Sequence, residues 1–296
     1  MFYSIPIRLL QFFGLLPLEF SYNTVSLTKK WMNWSKLVSL FLVYIIVRRT
    51  HITVLYHSNV YSGSSLYKKL SVLENYYVGA FYLCVIVTNF YESQVLIQKK
   101  LFKTLFQKFE IRHEEQFLLQ TSGFATLFLT TNFTLRIFYF VAHNSAITVK
   151  EESFLYGILQ SIFFMLVIMK MCLCQKLIWD ELYLLEYKLL NQSCEKLSWR
   201  FCQRFHQITK ALDKFEKLHK PTIFLLLLNV FADSASAIKG AQNIMNSCLQ
   251  QSYDFELVKV IVLSIWSVHY MPPVIWLVHL REQINTKVNR MSSIYI

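Results

Sequence analysis

SFLYGILQSIFFMLVIMKMCLCQK, Ser153 to Lys176, is an apolar block whose only charge before the closing Lys176 is Lys170. It passes without a turn signal into LIWDELYLLEYKLLN, Leu177 to Asn191, where Ile178, Leu182, Leu185 and Leu189 advance by four, three and four residues. The first part suits a helix crossing a hydrocarbon core of about 30 Å. The second part carries the seam of a helix that packs against another helix outside lipid. After the polar stretch Asn191 to Glu195 the same spacing resumes as Phe201, Phe205, Ile208, Leu212 and Phe215, and a new apolar block follows from 221 to 243. One helix therefore leaves the membrane and another returns to it. The expected arrangement is an antiparallel helical hairpin over 177–220 that buries one seam between its arms and offers another face to neighbouring subunits.

Composition extends this reading to the whole chain. Of 296 residues, 54% are hydrophobic and 16% charged, with a mean hydropathy of +0.36. A soluble domain carries about 25% charged residues. Six glycines and five prolines leave few helix breakers, and short alternating strand patterns are not evident. Backbone groups in lipid are satisfied only in helices or closed barrels, which makes a helical bundle the expected class. Cys84, Cys172, Cys174, Cys194, Cys202 and Cys248 are spread between apolar blocks and charged loops, unlike a disulfide framework. The net charge of +12 reads as loop charge facing an anionic leaflet rather than as a nucleic-acid interface.

Six spans are expected, near 34–56, 75–97, 117–142, 153–176, 221–243 and 256–280, in a single multi-pass membrane domain covering 1–296. Arg48 and Arg49 fall in the first, where each would cost about 2.5–3.5 kcal/mol at mid-bilayer. Pro272-Pro273 should kink the sixth. Basic residues gather in alternate connections. Arg8, Lys29, Lys30 and Lys36 precede the first span, Lys99, Lys100, Lys103, Lys108 and Arg112 follow the second, and nine more occupy the long hairpin. Arg281, Lys287 and Arg290 end the chain, whereas the opposite loops offer only Lys68, Lys69 and Lys150. Positive charge marks the cytosolic side, so both termini are expected there.

Two shorter segments are expected to lie at the membrane surface. Met1 to Phe20 resembles a signal peptide, but Arg8 interrupts its apolar run and no small-residue cleavage site follows. Leu9, Leu10, Phe12, Phe13 and Leu16 suit a short interfacial helix instead. Leu101, Phe102, Leu105, Phe106 and Phe109 likewise share a helical face bordered by lysines.

Catalytic chemistry is not legible. His113-Glu114 begins like a zinc-protease motif without its second histidine, and Cys172-Leu173-Cys174 has no matching pair at ligand spacing. No catalytic residue, metal ligand or cofactor is expected, and the chain is not read as an enzyme. Ionisable residues inside spans say more, because an intramembrane charge marks a candidate functional site. Lys170 and Lys239, near span ends, are expected to snorkel. Arg136 and Asp233 fit either a structural ion pair or a ligand contact. With Tyr77, Phe81, Phe133, Tyr139, Tyr156 and Trp266 they form the candidate lining of an outward-facing pocket for a small organic molecule. Sequons at Asn33, Asn132 and Asn191 fall in cytosol or lipid in this topology and should carry no sugar.

The opening Leu9-Leu10-Gln11-Phe12-Phe13-Gly14-Leu15-Leu16-Pro17-Leu18 resembles that of the insect gustatory receptors, within the seven-transmembrane chemosensory receptor superfamily. The inside N-terminus, the long charged hairpin and the Phe/Tyr/Leu content are also similar. The resemblance implies a plasma-membrane receptor subunit for small tastants, related to cation channels that assemble from several subunits. In the family a last helix lines the pore and carries Thr-Tyr, five residues, then Gln-Phe. No Thr-Tyr occurs here, and Gln11-Phe12 and Gln116-Phe117 are misplaced for it. Arg281 to Ile296 is too short and polar for another crossing. The resemblance thus implies a subunit lacking the pore helix and non-conducting alone. The alternative is a non-conducting accessory or scaffold protein that joins full-length receptors. A G-protein-coupled receptor would need an outside N-terminus, and a transporter a pseudo-symmetric pair of broken spans.

Overall fold

Once every backbone N–H must find its partner within its own segment, helix length and side-chain polarity decide how the segments pack. The computed structural model describes residues 4–21, 24–59, 65–90, 92–106, 123, 126–135, 137–138, 147–191, 198–248 and 254–293. Its helices are α1 (Ser4–Phe12), α2 (Lys29–Asn59), α3 (Ser65–Phe90), α4 (Glu92–Phe106), the helical residues 126–135 (here α5), α6 (Ile147–Asn191), α7 (Ser198–Cys248), α8 (Asp254–His269) and α9 (Met271–Ser293). Four helical stretches are long and apolar enough to cross a membrane: Lys29–Arg48, Ile158–Lys188, Trp199–Asn246 and Val260–Ser293. A shorter apolar stretch, Tyr76–Thr88, lies in α3. The chain is therefore an all-α bundle with apolar helices of membrane-spanning length.

Helix α6 is the centre of this bundle. In it 78% of the apolar stretch is buried, against 28%, 41% and 33% in the other three. Its polar residues explain the difference. At about 100° per residue, Ser161 and Gln175 fall on one side and Lys170 on the other. No rotation of the helix could turn both sides away from lipid, where polar groups are costly. Enclosure by other helices meets the constraint, and all three residues are buried. Lys170, expected to snorkel, is only 4% exposed: protein surrounds it at the level of Cys174 below and His219 across on α7.

Helices α6 and α7 have 45 and 51 residues, hence lengths of about 68 and 76 Å. Each exceeds a hydrocarbon core of about 30 Å more than twofold. Beyond the apolar parts, α6, the start of α7 and the end of α9 form a three-helix bundle. Ile178, Leu182, Leu185, Phe201, Ile208, Leu212 and Phe215 are buried there, and Phe205 packs partly buried beside them. Leu189 lies in α6, but its side chain is outside the described residues, as are residues 192–197. The candidate assembly seam thus points into the chain's own core.

The third helix of that bundle departs from the sequence reading. Pro272-Pro273 does not kink one continuous span; α8 ends at His269, Tyr270 is a turn, and both prolines lie in the first turn of α9. Proline lacks an N–H, and the first helical turn needs none. Helix α9 then continues through the polar tail to Ser293, burying Leu277, Leu280, Ile284 and Met291. Glu186 of α6 receives Lys287 at 2.7 Å and Arg290 at 3.7 Å. Lys287 also lies 4.5 Å from the ring of Trp179 and 4.6 Å from that of Tyr183. These three partners, four and three residues apart on α6, make one cation-binding face. Arg281 pairs with Glu216 of α7, and Arg204 of α7 reaches Glu181 through Nε at 3.1 Å.

Other boundaries also moved. The expected second span, 75–97, covers the end of α3 and the start of α4, which are separate helices. Half of the third, 117–142, lies outside the described residues. In α4, Leu101 and Phe102 are buried against protein rather than facing lipid, while Phe109 is outside the described residues. A short antiparallel hairpin, β1 (Leu18–Ser21) and β2 (Thr24–Leu27), pairs Leu18 with Leu27 and was not foreseen. The amphipathic opening is helical, with Ile7, Leu10, Leu15 and Leu16 facing the core and Leu9 and Phe12 facing outward. Gly14 ends it with φ at 68°, and a Cβ there would come within 3.0 Å of Val38 and 3.1 Å of the Ser35 backbone. Only glycine fits both that conformation and that space.

Packing in the polar bundle should separate two neighbouring leucines. Leu182→Ala, at a fully buried position, is expected to cost about 2–5 kcal/mol. Leu184→Ala, on the outer face, should change stability by less than about 0.5 kcal/mol. Melting of the detergent-solubilised protein measures both, and equal shifts would contradict the burial of this face.

Candidate functional site

A polar group inside an apolar bundle seeks another polar group, and three helices do this at Tyr270. Its hydroxyl is 3.2 Å from Asn132 Nδ2 of α5, which donates to it, and 3.1 Å from Ser161 Oγ of α6. All three residues are buried. Rings close around them: Phe164 meets Tyr270 edge-on at 5.0 Å, and Phe128 stacks on His269 at 4.3 Å. Phe128 also meets Tyr270 edge-on at 5.6 Å. Tyr270 is the one residue between α8 and α9, so this contact ties the joint between them to the central helix.

A second polar contact joins α7 to α8. Trp266 Nε1 donates to Asp233 Oδ2 at 3.1 Å, and Ser234 Oγ donates to the Ser267 carbonyl one position further along both helices. Asp233 and Trp266, both candidate lining residues, are thus direct partners. The Asp233 carboxylate engages the indole N–H and is half-buried.

The other candidates divide. Phe81 is buried 6.2 Å from Phe164, which connects it to the Tyr270 centre. Tyr77 is half-buried one turn away on α3, whereas Phe133 is 46% exposed and turned from the centre. Arg136 and Tyr139 lie outside the described residues, and Tyr156 lies in α6 with its side chain undescribed. Of the five whose side chains are described, Asp233 and Trp266 pair directly, Tyr77 and Phe81 share a face of α3, and Phe133 is turned away. Lys239 reaches Gln242 Oε1 at 3.5 Å near the far end of α7.

Asn132, Ser161, Tyr270, His269 and Phe128 were missed as a group. The available signal was polarity in apolar blocks: Asn132 and Ser161 each interrupt one, and Tyr270 stands beside the two prolines. Burial also gives Asn132 a reason to escape glycosylation other than topology. Among the described residues no three His, Cys, Asp or Glu side chains gather as metal ligands. The arrangement offers hydrogen bonds and ring surfaces; it presents no nucleophile beside a base.

Tyr270→Phe keeps the ring packing and removes the hydroxyl shared by Asn132 and Ser161. Loss of such a buried partner is expected to cost about 1–3 kcal/mol, read as a lowered melting temperature of the solubilised protein. An unchanged melting curve would mean that the hydroxyl does not hold these helices together. In comparisons with known proteins, no family model matches the chain and no curated protein matches it.

Proposed function

We propose that the chain is a gustatory-type chemosensory receptor subunit of the plasma membrane, with both termini in the cytosol. It would assemble with related subunits of a ligand-gated cation channel family that detects small tastants. The observation that carries this reading is the long pair α6 and α7, each more than twice as long as a hydrocarbon core is thick, gathered with α9 into a polar bundle. That layout matches the long charged hairpin of the family resemblance. The basic side chains at that end of the chain support its placement in the cytosol. The opening Leu9 to Leu18, helical as far as Phe12, supports the same kinship.

Ligand recognition belongs, on this reading, to the part of the bundle holding Tyr77, Phe81, Asp233 and Trp266, with Arg136, Tyr139 and Tyr156 as further candidates and Phe133 at its margin. Related subunits would meet the outer faces of the polar bundle, since its seam is occupied within the chain. The 296 residues alone are proposed not to conduct. The family's pore-helix signature is not found among them, and α9 is bound to α6 and α7 by ion pairs rather than standing free to line a water-filled axis. A second reading, an accessory or scaffold protein without ligand-gated function, draws on the same missing signature.

Epitope tags at either end should bind antibody only after cells are permeabilised; labelling of intact cells would reject this topology. Cells expressing the 296-residue chain alone, with surface delivery confirmed, should give no current to a panel of sugars, bitter compounds and amino acids. A reproducible cation current would overturn the non-conducting assignment. Co-expression with full-length gustatory receptors separates the readings. A changed ligand profile favours a receptor subunit, while altered surface delivery with the profile unchanged favours an accessory protein.

A further inference from the structure

The corner where α1 meets the start of α2 combines charge and exposed apolar surface in a way the packing of the chain does not use. Arg8, Leu9 and Phe12 lie on the outward face of α1, with Leu9 40% and Phe12 58% exposed. Trp34 Nε1 donates to the Phe12 carbonyl, and the two rings stand 6.0 Å apart. One turn before Trp34 is Lys30, whose Nζ lies 5.6 Å from the Trp31 ring, and one turn after it Leu37 is 57% exposed. Arg8, Lys29 and Lys30 are exposed, and among the described residues none of them forms an ion pair.

This placement opposes ordinary helix electrostatics. The start of a helix carries partial positive charge and favours acidic side chains. Helix α2 begins with Lys29 and Lys30, and no acidic residue occupies its first turn. Glu19, exposed on β1, is the sole acid between Met1 and Leu73 and pairs with none of these cations. Beside β2, α4 adds the exposed Lys103. The corner thus holds concentrated positive charge beside a strip of Phe12, Trp34 and Leu37. Tryptophan with a polar tip, basic residues and an adjoining apolar face are the marks of a membrane-interface contact.

We propose that this corner is a docking site for anionic phospholipid headgroups, in which Arg8, Lys29 and Lys30 hold the phosphate while Phe12, Trp34 and Leu37 enter the acyl boundary. The proposal rests on the apolar helices of the chain and not on its being a receptor. The headgroup supplies the negative charge that the start of α2 lacks, and the three cations are carried on exposed positions of two helices locked together. That lock includes Ser35 Oγ, which donates to the Gly14 carbonyl at 2.7 Å.

The test uses the full chain purified in mild detergent and titrated with dioctanoyl phosphatidylglycerol or dioctanoyl phosphatidylcholine, binding being followed by tryptophan fluorescence. The glycerol lipid should bind at least tenfold more tightly. Each basic residue near an anionic lipid surface is worth about fivefold in affinity. The combined variant Arg8→Gln, Lys29→Gln, Lys30→Gln should therefore remove most of the preference, and 0.5 M salt should weaken it in the parent, because the screening length falls well below the ~10 Å it has at 0.1 M. All three positions are exposed, and an unchanged melting temperature without lipid verifies the fold. A control with Lys188→Gln, Lys210→Gln and Lys220→Gln, exposed positions on α6 and α7, should keep the preference. Equal binding of both lipids, retention of the preference by the first variant, or an equal loss in the control would overturn the site.

Discussion

The arrangement depends on the need to enclose a central helix whose polar residues face opposite ways. Ser161 and Gln175 on one side of α6 and Lys170 on the other exclude an edge position in lipid. The remaining helices pack accordingly. Helix α2 keeps Ser35, Val38, Ser39, Leu42 and Ile45 inward and leaves Leu37, Leu40, Phe41, Tyr44 and Val47 exposed. In α3, Val78, Phe81, Tyr82 and Val85 turn inward, and Tyr76, Leu83 and Val87 turn out. Both show a helical repeat in which the core side holds the small polar and contacting residues, while the outer side is apolar enough for lipid.

Beyond the apolar zone the same helix is held differently. In water an apolar seam is driven together by burial of its own area, so Ile178, Leu182 and Leu185 meet Phe201, Ile208 and Leu212 tightly. Charged residues then choose which helix completes the bundle. Glu181, Glu186 and Glu216 receive Arg204, Lys287 and Arg281, so that each pair of helices is linked. The partly exposed Arg281–Glu216 pair contributes little alone. Lys287 is a stronger case, because its side chain is 10% exposed and its ammonium also lies over two aromatic rings. The contacts specify register and partner as much as they add stability.

Within the apolar zone stands Tyr270, at the level of Ser161. The chain there must stop one helix and start another, since two prolines supply no backbone donors to the turn before them. The tyrosine at the break hydrogen-bonds to α5 and α6. Helix α8, tied to α7 by Asp233–Trp266, and helix α9, tied to α6 by Glu186–Lys287, thus meet at a joint with its own anchor.

Local pattern was enough to read the helical class, the apolar stretches in α2, α6 and α7, and the seam continuing from α6 into α7. Those features repeat every three or four residues, so neighbours in the chain reveal them. The helical opening was equally legible, although its close docking on α2 was not. Asp233 was singled out for its charge and Trp266 for its ring, but nothing near either residue announced that the two would bond. Their separation is 33 residues, and Tyr270 lies 109 residues from Ser161 and 138 from Asn132. The burial of Lys170, the break at Tyr270 and the capture of the polar tail by α6 likewise came from contacts between distant segments. A periodic pattern states which face of a helix wants company; only the packed helices determine which partner fills it, because that choice depends on shape and charge carried by other parts of the chain.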